Sequence, residues 1–142
     1  MDDRTRLQRY FLHLLGRREY GRAELRRKAE EKDYATELIE AVLAQLAADN
    51  YQSDARFLES FVRHQSQRGQ GPLKIRQLLR QKGLEEASIN TALAELDWQE
   101  IAEQLYQRKY NGQPIQSPQE RAKRQRFLLQ RGFNFSHFHN LL

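Results

Sequence analysis

The sequence predicts an all-α protein of three tandem three-helix repeats, about nine helices forming an elongated array, straight or curved. Three observations carry this prediction. Apolar residues recur at helical spacing along the whole chain, and no alternating stretch reads as a strand. The stretch from Arg68 to Leu96 has a diverged copy fifty residues earlier and another forty-nine later. Helix start and stop signals fall at matching places in the copies.

Subtracting fifty pairs Gly71 with Gly21, Ile75 with Leu25, Leu79 with Ala29, Lys82 with Lys32, Leu84 with Tyr34, Ile89 with Ile39, Leu93 with Leu43 and Leu96 with Leu46. Adding forty-nine pairs Leu78 with Phe127, Leu79 with Leu128, Lys82 with Arg131, Gly83 with Gly132, Leu84 with Phe133, Ile89 with Phe138 and Leu93 with Leu142. Periods of this length indicate stacked helical units. The expected units are residues 1–52, 53–96 and 97–142. A three-helix unit of this size buries too little surface to be comfortably stable alone, so neighbours must pack on one another or share a helix.

The helices follow in order. Leu7, Tyr10, Phe11, Leu14 and Leu15 form the apolar face of the first, which breaks near Gly16. The second carries Leu25 and Ala29; the third, with Thr36 as its expected N-cap, turns Ile39, Val42, Leu43 and Leu46 inward. Ser53 and Asp54 cap the fourth, which presents Phe57, Leu58, Phe61 and Val62 and runs to about Gln67. Gly71 and Pro72 start the fifth, because glycine suits the N-cap and proline the first helical position. Ile75, Leu78 and Leu79 give it an apolar stripe, and Lys82-Gly83 ends it. The sixth turns in Ile89, Leu93 and Leu96. Asp97-Trp98 opens the seventh, with Ile101, Leu105 and Tyr106 inward. NGQPIQSP is the one substantial loop. The eighth helix starts at a capping-box spacing, Ser117-Pro118-Gln119-Glu120, and runs to Arg131; a short ninth begins near Phe135.

Composition narrows the function. There is no cysteine, hence no disulfide framework and no thiol chemistry, and no apolar run approaches the roughly 20 residues needed to span a bilayer. The expectation is a soluble, cytosolic monomer. Gly69-x-Gly71 is not a phosphate-cradling loop, for it lacks a preceding strand, a third glycine and a following Lys-Ser/Thr. His13, His64, His137 and His139 are not spaced as metal ligands, and no nucleophile with its base can be assembled. No metal, cofactor or catalytic residue is expected.

The basic residues are the informative ones. Residues 1–60 carry 11 Lys/Arg against 12 Asp/Glu, and residues 61–142 carry 13 against 7. The copies share apolar positions but not surface charge. Glu24, Arg26 and Glu30 of the first become Lys74, Arg76 and Arg80 in the second, and Lys123, Arg124 and Arg126 continue the basic character in the third, flanked by Arg121 and Arg131. Lys32, Lys82 and Arg131 suit the last turn of a helix by roughly 0.3–1 kcal/mol each. Lys74, near a positive helix end, has no such account. An uneven positive surface implies an acidic partner, nucleic acid or an acidic protein face. Phe127, Phe133 and Phe138 occupy the places of Leu78, Leu84 and Ile89 and are assigned to the interior; Phe135 has no counterpart.

Three stretches carry a resemblance to a known family: REYGRAELRRKAEEK from Arg18 to Lys32, SDARFLESFVRHQSQRGQGPLKIRQLLRQKG from Ser53 to Gly83, and RAKRQRFLLQRGF from Arg121 to Phe133. Together they resemble RecX, the bacterial regulator of the RecA recombinase. The sequence departs from the family's usual pattern at Gly21, where Ser is common, at Ala29 for Leu, at Asp33 for Gly and at Gln65 for a basic residue. The resemblance implies a non-enzymatic protein that binds the RecA nucleoprotein filament in its helical groove and restrains filament extension, strand exchange, ATP hydrolysis and co-protease activity. On that reading Arg63, Arg68, Lys74, Arg76, Arg80, Arg121, Lys123, Arg124 and Arg126 are the candidate contacts to RecA or to DNA. The alternative is a general basic DNA-binding module for which RecA is incidental.

Overall fold

Capping chemistry sets where the helices begin. The computed structural model describes all 142 residues as nine α-helices with no strand: α1 (Asp3–Leu15), α2 (Arg22–Glu31), α3 (Thr36–Ala48), α4 (Asp54–Gln67), α5 (Pro72–Gln81), α6 (Glu86–Ala94), α7 (Trp98–Tyr110), α8 (Pro118–Gln130) and α9 (Phe135–Phe138), closed by a 3-10 turn. The Asp2, Ser53, Asp97 and Ser117 side chains each accept the backbone N–H three residues on. Each thereby satisfies one donor that the first helical turn leaves open. Pro72 and Pro118 stand at the first helical position, where no N–H is missed. The expected cap at Thr36 is corrected: Ala35 holds that place without a side-chain bond, and Thr36 is already helical.

The apolar positions shared by the copies are buried. Leu25, Ile39, Leu43, Ile75, Leu79, Ile89, Leu128, Phe133 and Phe138 are at most 1% exposed. They do not make three separate cores. Leu7, Phe11, Leu25, Ile39, Leu43 and their neighbours form one cluster inside the first unit. The second and third units share another, in which Phe57, Ile75, Leu79 and Ile89 join Trp98, Leu105, Leu128, Phe133 and Phe138. The Trp98 indole N–H donates to the Leu93 carbonyl at 2.8 Å, tying α7 to the end of α6. The molecule exposes 8862 Å², against roughly 7,700 Å² for a compact chain of this mass. That excess is what a row of small units gives.

The first unit meets the second through polar groups. The Arg22 N–H donates to Asp54 Oδ1 at 2.8 Å, Gln52 Nε2 donates to Asp54 Oδ1 at 3.0 Å, and Arg56 Nε donates to Glu19 Oε1 at 3.1 Å. Glu24, its side chain 10% exposed, accepts from Arg18 at 3.1 Å and from Lys82 at 2.9 Å. It also accepts the Gly21 N–H at 3.0 Å.

The middle helices of the three units meet terminus against terminus. The Gly71 N–H donates to the Arg131 carbonyl at 2.6 Å and the Leu73 N–H to the Gly132 carbonyl at 3.0 Å, so the open donors of α5 meet the open acceptors of α8. At the other end of α5, a Cβ placed on Gly83 would lie 3.0 Å from Ala23 Cβ in the first turn of α2. Both junctions set a helix C-terminus against a helix N-terminus, opposite partial charges in contact.

Candidate partner-binding surface

The nine candidate cations separate by position. On α8, Arg121, Lys123 and Arg126 are exposed and make no ion pair. Lys123 and Arg126 sit on the side of the helix opposite Leu128, whereas Arg121 lies in its first turns on the same side as Leu128. Arg68, at the C-cap of α4, is also exposed, and its carbonyl accepts from Arg131 at 3.4 Å.

On α5 the charges are engaged by the chain itself. Arg80 grips Glu86 with two bonds of 2.8 and 2.7 Å. Arg76 donates to Asn90 Oδ1 at 2.9 Å and lies 3.6 Å from Glu86. The hydrogen bond from Arg80 holds the Glu86 carboxyl below its ordinary range. Arg76 to Asn90 repeats, fifty residues on, the bond of Arg26 to Glu40 at 2.5 Å. This is a strut between the second and third helices of a unit. Arg80 remains half-exposed, at 58%, and the pair is a surface one that yields readily to a competing anion.

Lys74 now has its account. Its ammonium reaches the Gln130 carbonyl at 3.4 Å, so the cation near the start of α5 serves the negative end of α8 across the junction.

Arg124 is a correction. It is 1% exposed and is not a surface contact. Its guanidinium donates to Tyr106 Oη at 2.7 Å, to the Gln113 carbonyl at 3.0 Å and to Glu120 Oε1 at 2.6 Å. It also lies 4.3 Å over the Tyr110 ring. It is a buried strap that holds the 111–117 loop against α7 and α8. The signal was in the sequence: adding forty-nine to Ile75, which is fully buried, gives Arg124.

Arg63 stands apart from the other cations. It lines a groove of about 1150 Å³ between α4 and α6 and pairs with Glu59 at 3.4 Å. The sequence reading missed that groove, and it missed two exposed leucines flanking the α8–α5 junction, Leu73 at 45% and Leu129 at 49%. Phe135, 59% exposed, stacks edge-on against Phe138 with centroids 5.8 Å apart. No group of acidic or histidine side chains is arranged to hold a metal.

Models of the first, second and third three-helix domains of RecX match residues 9–46, 53–93 and 95–141. The chain belongs to the RecX family. The RecX regulatory protein of Pseudomonas entomophila strain L48 is 42% identical over all of this chain and 93% of its own length. That of Pseudomonas putida strain GB-1 is 45% identical over 94% of this chain and 86% of its own. A crystal structure of a RecX regulatory protein superimposes with a TM-score of 0.77 at 27% identity, covering 97% of this chain and 70% of that one. RecX from Lactobacillus salivarius, 22% identical with a TM-score of 0.79, shares the fold across 98% of this chain and 94% of its own. RecX is a family of regulatory proteins, so the chain is a regulator and not an enzyme.

Proposed function

We propose that this protein regulates RecA by binding the nucleoprotein filament in its helical groove, where it restrains filament extension, strand exchange, ATP hydrolysis and co-protease activity. Membership of the RecX family supports RecA as the target. The observation that carries the mode of binding is on α8: Arg121, Lys123 and Arg126 are exposed cations without a carboxylate partner. Arg68 and the half-exposed Arg80 extend this basic surface into the second unit. The middle helices, of 10, 10 and 13 residues, sum to roughly 50 Å of helix axis, enough for one molecule to touch more than one protomer of a filament. Binding to the assembled filament in preference to free subunits would stabilise a blocked state by mass action. The proposed action is that of a monomer in the cytoplasm; no helix is long and apolar enough to cross a membrane.

The test compares the parent protein with the triple reversal Arg121→Glu, Lys123→Glu, Arg126→Glu. Binding to RecA filaments and to bare single-stranded DNA is measured at several salt concentrations, alongside RecA ATP hydrolysis. The expected result is filament binding that outlasts bare-DNA binding as salt rises, and loss of inhibition in the reversal. Parallel decay of both would favour a general DNA-binding module. Full inhibition by the reversal would remove α8 as the contact.

A further inference from the structure

The groove between α4 and α6 has the opposite chemistry from the basic face. Its floor is apolar and lined with small side chains: Leu58 and Val62 lie beneath, and Ala55, Ala87 and Ala92 line the sides. Four carboxylates, Asp54, Glu59, Glu85 and Glu95, line it against one guanidinium, that of Arg63. Asp54 is committed to Arg22 and Gln52 of this chain. Glu59 is exposed beyond its weak contact with Arg63, and Glu85 and Glu95 are exposed without an ion pair.

These acids are not required to build the helix pair. At the position of Glu59 the first unit carries Arg9 and the third Arg108. The places of Glu85 are taken by Ala35 and Asn134, and that of Glu95 by Gln45. The first unit closes its own helices with no acid at any of the three. The negative rim therefore belongs to the second unit alone.

We propose that the α4–α6 groove is a docking site for a cationic amphipathic helix of a protein partner. The alanines allow a third helix to approach closely. Apolar side chains one turn apart on the guest would cover Leu58 and Val62, the helix-in-groove mode of recognition. Lysines or arginines on its flanks would face Glu59, Glu85 and Glu95. Charge complementarity selects this guest and rejects nucleic acid, whose phosphates would meet the exposed carboxylates of Glu59, Glu85 and Glu95. The protein would thus hold a partner with two surfaces of opposite sign, one for an anion and one for a basic helix.

The probe is an 18-residue helical peptide with leucines at i, i+4, i+7 and i+11 and lysines elsewhere, titrated into the isotope-labelled full-length protein. The control peptide has glutamate for lysine. Amide shifts confined to residues 54–63 and 85–96 are expected with the lysine peptide and none there with the control. Affinity should fall at least tenfold in Glu59→Lys/Glu95→Lys. A second variant, Ala55→Trp, fills the groove without altering charge and should weaken binding similarly. Unchanged affinity in both variants, or shifts scattered over acids elsewhere, would overturn the proposal. So would concentration-dependent shifts of the groove amides in the protein alone, which would make the guest a second copy of this chain.

Discussion

Gly71 and Gly132 meet backbone to backbone: a Cβ on Gly71 would lie 2.5 Å from the Gly132 carbonyl carbon, closer than any side chain allows. Gly132 holds φ at +98°, and a Cβ there would fall 2.6 Å from Lys74 Cβ. Gly71→Ala or Gly132→Ala must force α5 and α8 apart and break the bonds from Gly71 and Leu73. The expected loss is on the order of 2–4 kcal/mol, read from urea unfolding. A loss under about 0.5 kcal/mol, the size of an ordinary surface change, would show that the junction yields without cost.

The seam between the first and second units depends on the charge of Glu24. Burial works against its ionised form, but hydrogen bonds from Arg18, Lys82 and the Gly21 N–H outweigh it and hold the carboxyl below its ordinary value. A carboxyl lowered in the folded state stabilises fully above its unfolded pKa, about 4.3, and loses that contribution as pH falls through the lowered folded value. Amides of α1 to α3 should therefore exchange faster than those of the shared core as pH drops below about 4.3. Lys82→Met should bring this loosening to higher pH and cost roughly 1–2 kcal/mol at neutral pH. Equal protection of all nine helices throughout the titration would contradict it.

Arg124→Met should act on folding and not on partner contact. Removing the guanidinium strands Tyr106 Oη and the Gln113 carbonyl and releases the 111–117 loop. The melting temperature should fall on the order of 5–10 °C. At a temperature where the variant is folded, the salt slope of its DNA binding should match that of the parent. A reduced slope without a lower melting temperature would return Arg124 to the contact surface.

Glu86→Gln offers a gain. It releases Arg80 and Arg76 from the carboxylate that both face. If α5 adds to the basic face, the salt dependence of binding to a polyanion should steepen by about one unit of slope for each new phosphate contact. An unchanged slope would confine the contact to α8 and its surroundings.

The helices and their inward faces were legible because both depend on local spacing. The pairing of Ile75 with Leu25, and of Ile89 with Phe138, marked buried positions directly. What joins the units was not legible. Contact between Gly71 and Gly132 spans sixty-one residues, and nothing in either neighbourhood announces the other. Lys74 looked anomalous for the same reason, since the carbonyl it serves lies on α8. Arg124 was misassigned because buried arginines are rare, although its repeat position pointed inward. Asp33 shows how register carries backbone information: it holds φ at +63° where the later copies have Gly83 at +83° and Gly132 at +98°. A departure noted in sequence thus marks a left-handed site that glycine would occupy with less strain.

The terminus-to-terminus order of α8, α5 and α2 gives the backbone a polarity of its own. Its amino pole lies at Ser117 and its carboxyl pole near Lys32, opposed to the direction of the chain. Side chains and peptide groups therefore bias the molecule the same way, and a distant polyanion exerts a torque on it well before collision. On the proposed function the third unit would lead the approach, so orientation would be chosen before the first side chain touches.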